Sequence, residues 1–410
     1  MSDENNNSAA RIPRLAGERI VLFSTADWDT ALPTNKHHIA RRLAKRNRVL
    51  FVETLGTRAP KIGGADAGRI VRRLRRGFSG PVRREKRLWS VSPIVRPKWA
   101  TPGDIRMNRM LFRSSAGRAI SAFDPTMLWV YSPYAVHLLP AKGGPLVVYH
   151  MVDDLSAVPG ADRISLREAE LRLLARADIV FCTERQMHER AVRVNPNAHF
   201  LPNVADHAHF SDASPRGGSS RALLERLSRS PGPRAVFSGQ LASHKVDVAL
   251  IAAVCRLAPD INFIFVGPIW EADARRAQFE HLGKLPNVTL TGLVPYEELP
   301  PFLHLADVLL MPYAKSNATD AVFPLKLFEY FATGNPVVAP QSMHALRPWA
   351  QVLLRARAEP AAWVTAIRQA LIEPADFADQ RRELARRNTW DTRLRKMERL
   401  IHEARSKMSK

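Results

Sequence analysis

The sequence has few cysteines and no long apolar run. Both features limit the classes of protein to which the chain can belong. Its 410 residues include two cysteines, Cys182 and Cys255, which argues against a disulfide-stapled scaffold and favours a reducing compartment. No apolar run approaches the roughly 20 residues that a membrane-spanning helix needs. The polar, acidic start lacks the pattern of a signal peptide, and we expect residues 1–17 to be disordered.

Acidic residues are also scarce, so the charge is one-sided. There are 61 Lys and Arg residues against 39 Asp and Glu residues, a net charge of +22. Residues 58–98 alone hold thirteen cations and two acids, a net charge of +11. Such a patch needs an anionic partner: membrane lipid, nucleic acid or a polyphosphate. Nucleic acid is the weakest of the three, because aromatic residues are few and no nucleic-acid-binding motif is present.

The basic region contains an amphipathic segment, residues 68–78. Its apolar residues, among them Ile70, Val71 and Leu74, share one face. Cations surround that face: Arg69, Arg72, Arg73, Arg75 and Arg76. A helix of this kind suits an anionic membrane surface.

The most informative stretch is residues 320–339, which predict a loop, a helix, a tight turn and a strand. Pro324 suits the first turn of a helix, where its missing N–H is not needed. Apolar residues then recur at helical spacing until Gly334 ends the helix. Residues 337–339 are wholly apolar, which is typical of a buried parallel strand.

Two polar residues on that helix suggest a ligand. Lys326 lies in the first turn, where a cation opposes the helix dipole unless an anion is bound there. Glu329 follows three residues later and projects on the same side. A cation for phosphates and a carboxylate for ribose hydroxyls suit a nucleoside diphosphate. The alternative is an exposed Lys–Glu pair on an ordinary helix.

The beginning of the chain has a Rossmann pattern, but its first loop lacks glycine. Residues 19–24 and 49–53 predict two buried strands on either side of a loop and a helix. We interpret the loop, residues 25–36, as lining of a ligand cleft on the side of the first domain, although an ordinary surface loop is equally consistent. The residues expected near the cleft are Asp27, Trp28, Asn35, Lys36 and His37.

Candidate catalytic groups follow the strand at residues 146–150. His150, Asp153 and Asp154 stand at its carboxyl end, the edge where open α/β sheets bind ligands. An aspartate there could act as a general base or stabilise positive charge that develops on a substrate. The alternative is an aspartate that caps the next helix.

The stretch Pro-Leu-Lys-Leu-Phe-Glu-Tyr-Phe-Ala-Thr-Gly-Asn-Pro-Val-Val, residues 324–338, resembles the donor-site motif of bacterial GT-B glycosyltransferases. It is similar to the group related to glycosyltransferase family 4, which builds cell-surface polysaccharides. The resemblance covers roughly residues 18–407 and implies an α/β fold with two Rossmann-like domains facing a cleft. The expected parts are an N-terminal acceptor domain at 18–205, a linker or insertion at 206–233, a donor domain at 234–387 and a returning C-terminal helix at 388–410.

The resemblance also implies a set of donor-binding positions. In this sequence they are Gly239, Lys245, Leu293, Val294, Lys326, Leu327 and Glu329. Gln240 stands where the family has an arginine for the pyrophosphate, and Lys326 is the expected substitute. The family's first motif glutamate is replaced by Ala321, beside Asp320, which leaves retention or inversion of the anomeric configuration open.

The implied activity is transfer of a sugar from a nucleotide-sugar to a lipid-linked or glycan acceptor. The expected location is the cytoplasmic face of the membrane, with no metal, no cofactor and no nucleic acid. One alternative is a nucleotide-sugar epimerase or a phosphorylase on the same fold. The other is a non-catalytic basic protein that binds membrane or nucleic acid.

Overall fold

The computed structural model contains two α/β domains, each built on a mainly parallel sheet. It describes residues 14–30, 33–56, 76–77, 79–157, 160–214, 218–270, 273–315 and 323–408. The strands are β1 (Arg19–Phe23), β2 (Arg48–Val52), β3 (Val82–Glu85), β4 (Leu88–Val91), β5 (Met127–Val130), β6 (Leu146–Met151), β7 (Ile179–Cys182), β8 (Ala198–Phe200), β9 (Arg234–Ser238), β10 (Asn262–Val266), β11 (Val288–Gly292), β12 (Val308–Leu310), β13 (Val337–Pro340) and β14 (Leu354–Ala356).

Fourteen α-helices are present among the described residues. They are α1 (Asn35–Ala44), α2 (Pro102–Phe112), α3 (Arg118–Phe123), α4 (Arg163–Arg176), α5 (Arg185–Val192), α6 (His207–Phe210), α7 (Arg221–Ser228), α8 (Val248–Leu257), α9 (Asp273–Leu282), α10 (Leu299–His304), α11 (Lys326–Thr333), α12 (Pro360–Leu371), α13 (Asp376–Arg387) and α14 (Trp390–Met408). A π-helical turn, Arg113–Gly117, joins α2 to α3.

The first domain contains eight strands in the order β3-β4-β2-β1-β5-β6-β7-β8. Only β3 is antiparallel to its neighbour. The central strands are buried along their whole length because helices cover both faces of the sheet. The strand order runs outward from β1 in both directions, and this reversal creates a ligand crevice at the carboxyl ends of β1 and β5.

The second domain contains six parallel strands in the order β11-β10-β9-β12-β13-β14. Its reversal point lies between β9 and β12, so the loops after these strands face a crevice of their own. The central stretch forms as its sequence predicts. Helix α11 ends at Gly334, whose φ of 86° is the left-handed conformation that favours glycine. Strand β13 follows and is fully buried between β12 and β14.

The chain crosses between the domains twice, side by side. Ala205 leaves the first domain and forms an isolated parallel bridge with Thr389, which precedes the returning helix. Helix α14 then packs its apolar side, including Trp390, Leu394 and Met397, into the core of the first domain. The expected linker is not structureless, because α6 and α7 lie within residues 206–233.

Hydrogen bonds join the two domains at the same junction. Asn203 receives a hydrogen bond from the Asn35 side-chain amide at 3.3 Å and donates one to the carbonyl of Phe323 at 3.1 Å. Nearby, His38 of α1 stacks on Trp390 and contacts the ring of Tyr296 from the second domain. The loops that surround the cleft therefore make contacts with both domains.

Candidate functional site

A pocket of about 320 Å3 lies between the two domains. Most of its wall belongs to the segments that follow β9, β10, β11 and β12 and to the start of α11. Thr30, Pro33 and Thr34 of the first domain complete the wall. The carboxyl ends of both sheets thus meet at one site, as expected for ligand binding in open α/β sheets.

Two glycines allow a lysine to lie against the backbone at the bottom of this pocket. A Cβ atom on Gly239, whose φ is 147°, would come within 2.6 Å of Lys326 Cε. A Cβ atom on Gly267 would come within 2.0 Å of the Gly239 carbonyl oxygen. The glycines therefore permit a close approach of two loops and place Lys326 directly over the turn after β9.

Lys245 supplies a second cation in the same pocket. Its Nζ donates a hydrogen bond of 3.1 Å to Gln240 Oε1. Burial and the neighbouring charge of Lys326 lower the pKa of Lys245, and Asp153 opposes that shift. Gln240, which stands at the position of the family's arginine, therefore orients a lysine instead of contributing a charge. Two lysines that share one pocket favour a bound dianion.

Glu329 faces the pocket one turn along α11. Burial raises the pKa of its carboxyl group, and the cation of Lys326 opposes that rise. Tyr296 and Tyr313 also line the pocket, and the charge of Glu329 contributes to the raised pKa of both phenols, behind the larger effect of burial. A half-buried carboxylate beside an open cavity is well placed to accept hydrogen bonds from ligand hydroxyls.

The remaining donor-site predictions differ in outcome. Leu293 and Val294 both line the pocket, and Leu293 is 52% exposed. Leu327 does not line it: its side chain lies in the core, and its N–H already donates to the carbonyl of Pro324 at 3.3 Å. Leu327 was predicted to bind the donor because its neighbours in the motif were. Its position on the helix instead directs its side chain into the core.

Asp153 and Lys36 form an ion pair at the first-domain side of the cleft. Lys36 Nζ lies 3.0 Å from Asp153 Oδ2, and the exposed fractions of the two side chains are 6% and 41%. Lys36 also lies over the Tyr131 ring at 5.8 Å from its centroid. The buried lysine thus holds a carboxylate that remains accessible and that interacts with Lys245 of the other domain.

The structure gives Asp154 a structural role. Its carboxylate accepts hydrogen bonds from the backbone N–H of Ser156 at 3.1 Å and from Arg167 at 2.7 Å. Arg190 forms a further ion pair at 3.4 Å. With its side chain only 8% exposed, Asp154 caps a turn and anchors two helices; the cap of the next α-helix, which was the alternative role, is Asp162.

The catalytic prediction for His150 conflicts with its burial. The residue is 1% exposed, and Nδ1 lies 3.1 Å from the Tyr131 hydroxyl. Burial lowers the pKa of His150 to about 3, with contributions from Lys36 and Arg393. The imidazole is a neutral core group that is enclosed by Trp129, Tyr131 and Phe181 on the face of the sheet covered by α1 and α14.

The β1–α1 loop reaches the donor pocket through residues that were not predicted, whereas the predicted Lys36 is at the cleft through its ion pair with Asp153. Asn35, Lys36 and His37 are buried. His37 Nδ1 accepts from the backbone N–H of Thr34 at 3.1 Å, and its Nε2 lies 3.1 Å from the Asp27 carbonyl. These buried groups shape the loop, and Thr30, Pro33 and Thr34 form the pocket wall. Nothing in their residue types distinguished them from other loop residues.

Several predicted positions lie outside the described residues: Arg69, Arg72, Arg73 and Arg75 of the basic segment, and Asp320 and Ala321 before α11. Arg76 is described, and its guanidinium lies 3.0 Å from Asp29 Oδ2. In the described part of the chain, no helix is long and apolar enough to span a bilayer. The same residues contain no cluster of three or more His, Cys, Asp or Glu side chains suited to a metal ion.

Two Rossmann-like domains that face a cleft, with a C-terminal helix that returns to the first domain, define the GT-B glycosyltransferase fold. Residues 232–373, which make up most of the second domain, match the family described as Glycosyl transferases group 1. The predicted GT-B fold is therefore confirmed, and residues 232–373 are similar to a group 1 glycosyltransferase domain.

Comparison over the whole chain agrees with this assignment. A putative teichuronic acid biosynthesis glycosyltransferase of Bacillus subtilis (strain 168), TuaH, is 25% identical over 405 residues, which are 92% of this chain and 95% of the relative. Sucrose-phosphate synthase from Thermosynechococcus elongatus has a similar structure, with a TM-score of 0.69, 15% identity and coverage of 94% of this chain and 99% of that chain.

Two further structures share the fold. The Anabaena protein HepE, solved in complex with UDP and glucose, gives a TM-score of 0.62 at 14% identity, covering 93% of this chain and 98% of that chain. WaaG, a glycosyltransferase involved in lipopolysaccharide biosynthesis, gives a TM-score of 0.60 at 13% identity, covering 93% of this chain and 99% of that chain.

Proposed function

We propose that this glycosyltransferase moves a sugar from a nucleotide-sugar to a lipid-linked or glycan acceptor in the assembly of a cell-surface polysaccharide. The observation that carries the proposal is the convergence of Lys245, Lys326 and Glu329 on one pocket between the domains. The relative in teichuronic acid biosynthesis and the UDP complex of HepE support the polymer class and the donor class, respectively.

The donor fits the pocket in one orientation. The two lysines bind the diphosphate at the turn after β9, and Glu329 accepts hydrogen bonds from the ribose hydroxyls. The exposed loop residue Leu293 and its neighbour Val294 then contact the nucleobase. The transferred sugar points from the diphosphate toward the first domain, where Asp153 stands.

Transfer breaks the bond between the anomeric carbon and the diphosphate oxygen, and the bonding electrons remain on the diphosphate. Lys245 and Lys326 stabilise that charge in a partly desolvated site, which is where fixed cations are most effective. The acceptor oxygen forms the new bond and loses its proton. This arrangement places the leaving-group stabilisation on side chains and uses no resident metal.

Asp153 has one of two roles, and the anomeric configuration of the product distinguishes them. In an inverting reaction its carboxylate accepts the proton of the acceptor hydroxyl. In a retaining reaction it stabilises the positive charge that develops on the sugar, and the departing diphosphate oxygen takes the proton of the acceptor hydroxyl. Lys36 orients the carboxylate in both cases.

The acceptor meets the enzyme at the cytoplasmic face of the membrane. The support is the basic segment around Arg69, Arg72, Arg73, Arg75 and Arg76, since each cation near an anionic bilayer contributes about 1 kcal/mol of binding. Replacing Arg72, Arg73, Arg75 and Arg76 with serine is expected to release the protein from anionic vesicles in co-sedimentation at low salt. Binding of the wild type to neutral vesicles equally well would contradict this part of the proposal.

The donor is identified by screening nucleotide-sugars for thermal stabilisation, since a ligand that binds only the folded state raises its apparent stability. The donor that stabilises the protein is then incubated with and without glycan acceptors. Acceptor-dependent release of the nucleoside diphosphate is the expected result. A changed sugar without acceptor would instead indicate an epimerase, and no stabilisation by any nucleotide-sugar would indicate a non-catalytic protein.

A further inference from the structure

Helix α1 presents a row of polar residues to the junction of the two domains. Asn35, His38 and Arg42 are spaced by three and four residues, so their side chains share one side of the helix. The same helix carries Lys36, which forms the ion pair with Asp153. A change at the junction can therefore reach the proposed catalytic carboxylate through one rigid element.

Arg42 fixes the last turn of α1 to both chain crossings. Its guanidinium donates hydrogen bonds to Asp206 Oδ2 at 3.2 Å and to Asp391 Oδ2 at 3.3 Å. These two aspartates follow Ala205 and Thr389, the residues that bridge the crossings. The helix is thus anchored at one end, and its first turn, which carries Lys36, lies at the cleft.

His38 connects α1 to the second domain. Its ring stacks on Trp390, with 5.2 Å between the centroids and 10° between the planes, and lies 6.0 Å from the ring of Tyr296. Burial, and after it the charge of Arg42, lowers the pKa of His38 to about 3. The ring is consequently neutral at physiological pH and packs against its neighbours as an aromatic group.

Tyr296 is held by rings on its other sides as well. His209 of α6 stacks on it with 4.4 Å between the centroids, and Phe210 meets it edge-on at 5.6 Å. His209 Nε2 also lies 2.9 Å from the carbonyl oxygen of Tyr296. Because three rings enclose Tyr296 in a packed interior, a shift of its side chain also changes its contact with His38.

The hydroxyl group of Tyr296 is available to a ligand. Tyr296 lines the donor pocket together with Glu329. Burial, and after it the charge of Glu329, raises the pKa of the phenol, which therefore stays protonated and neutral. Among the residues that the structure describes, none forms a hydrogen bond with this hydroxyl. It can therefore donate to an oxygen of a nucleotide that is bound beside Glu329.

We propose that Tyr296 and His38 form a positioning pair, through which an occupied donor pocket sets the position of α1 and hence of the Lys36–Asp153 pair. The inference rests on the proposed function, which places the nucleotide beside Glu329 and the transferred sugar beside Asp153. The nucleotide holds the phenol, the phenol holds the His38 ring, and the helix carries that constraint two residues back to Lys36. Binding energy from a part of the donor that does not react is thereby used at the reacting carbon, where a misplacement of about 1 Å can cost roughly a hundredfold in rate.

Steady-state kinetics at saturating donor separates this role from a purely structural one. His38→Ala is expected to lower kcat at least tenfold without weakening the binding of the nucleoside diphosphate of the donor, UDP or GDP. His38→Phe keeps the stacked ring and is expected to restore kcat to within threefold of the wild type. His199→Ala makes the same truncation at a partly buried position of the edge strand β8 and is expected to leave kcat unchanged.

Tyr296 tests the same contact from the second domain. Tyr296→Phe keeps the ring but removes the hydroxyl by which the nucleotide holds it, so nucleotide affinity and kcat are both expected to fall at least threefold. This variant removes one oxygen atom and keeps the test available if His38→Ala does not fold. The double variant of Tyr296→Phe with His38→Ala is expected to have a kcat no lower than the worse single variant, because residues that act through one contact are not additive.

Hydrogen exchange measures the coupling without catalysis. Binding of UDP or GDP to the full chain is expected to slow the exchange of backbone amides in residues 35–44. Exchange in α4, which does not line the donor pocket, is expected to stay the same. The slowing should persist in Asp153→Asn and disappear in His38→Ala.

Several results would overturn the proposal. Among the kinetic results, these are an unchanged kcat in His38→Ala, an equal loss in His199→Ala, no recovery in His38→Phe, or fully multiplicative losses in the double variant. In the exchange experiment, it is an α1 that does not respond to a bound nucleotide. The proposed function fails separately, since slowed exchange in α1 without any transfer of sugar would contradict the transferase activity and leave the coupling in place.

Discussion

Lys36 and Asp153 form an ion pair whose cation is buried and whose carboxylate is accessible from the cleft, with 3.0 Å between Nζ and Oδ2. The pair fixes the direction of the carboxylate that we place at the transferred sugar. Asp153→Asn is therefore expected to lower turnover at least a hundredfold while leaving the donor affinity within a factor of three. Turnover and donor binding are measured separately, by coupled assay and by calorimetry.

Asp154 provides the matched control for this substitution. Because it anchors Arg167, Arg190 and Ser156, Asp154→Asn is expected to lower the free energy of unfolding by about 1–3 kcal/mol and to affect turnover less than Asp153→Asn. Intact turnover in Asp153→Asn would assign the catalytic role to another group.

Glu329 is expected to determine nucleotide affinity. If its carboxylate accepts hydrogen bonds from both ribose hydroxyls, Glu329→Ala loses charge-assisted bonds of roughly 1.5–3 kcal/mol each. Calorimetry should then show a loss of affinity of at least tenfold for the nucleotide, with an unchanged melting temperature of the unliganded protein or a higher one. Unchanged binding of both UDP and GDP would refute the ribose contact.

The same residue predicts a pH dependence of the unliganded protein. The folded-state pKa of Glu329 is raised mainly by burial, so stability is lost as the pH rises through that pKa and is retained below the unfolded value of about 4.3. Glu329→Gln is expected to be more stable than the wild type at pH 8 and equally stable at pH 4. Urea unfolding of the variant and the wild type at both pH values tests the sign of this effect. An equal difference in the free energy of unfolding at pH 8 and pH 4 would contradict the prediction.

Lys245 and Lys326 are expected to distinguish diphosphates from nucleosides. Each lysine contacts only the phosphate part of the ligand in our proposal. Lys245→Ala and Lys326→Ala should each weaken nucleoside diphosphate binding roughly tenfold or more, with little change for the nucleoside. Equal losses for both ligands would point to damage of the pocket. Gln240→Ala, which removes only the partner of Lys245, should give a smaller loss of the same kind.

Buried histidines are expected to destabilise the protein in acid. The pKa of His150 is lowered to about 3 and that of His37 to about 4, in both cases first by burial. Above the unfolded-state pKa of about 6.5, the neutral histidines leave the free energy of unfolding at its full value. As the pH falls from there toward the folded-state pKa values, each histidine lowers the free energy of unfolding by about 1.4 kcal/mol per pH unit. Urea unfolding from pH 7 to 5 measures this slope. His150→Phe should flatten it, whereas replacing an exposed histidine such as His344 should not.

The sequence was sufficient for elements whose pattern is local. The helix, turn and strand of residues 324–340 follow from the position of a proline, a glycine and an apolar run, and all three appear in the fold. Lys326 and Glu329 reach the pocket for the same reason. Their spacing on one helix side is a property of the helix itself.

The errors arose where the direction of a side chain depends on distant parts of the chain. In a strand buried on both faces, every position is apolar or enclosed, so the sequence does not indicate which face His150 joins. Asp154 has a local partner in Ser156, but its other partners, Arg167 and Arg190, are recruited by the packing of two helices. Such partners become visible only when the sheet and its helices are assembled.

The wall that the first domain contributes to the donor pocket has a kinetic consequence. Since Thr30, Pro33 and Thr34 line one side of a cavity whose other residues belong to the second domain, we expect a bound nucleotide to leave faster when the two domains move apart. We predict that product departure then sets the turnover number, as domain or lid opening does in many enzymes, and that the chemical step is faster than the overall cycle. A turnover that slows in proportion to solvent viscosity, together with a burst of product in the first cycle, would be its signature.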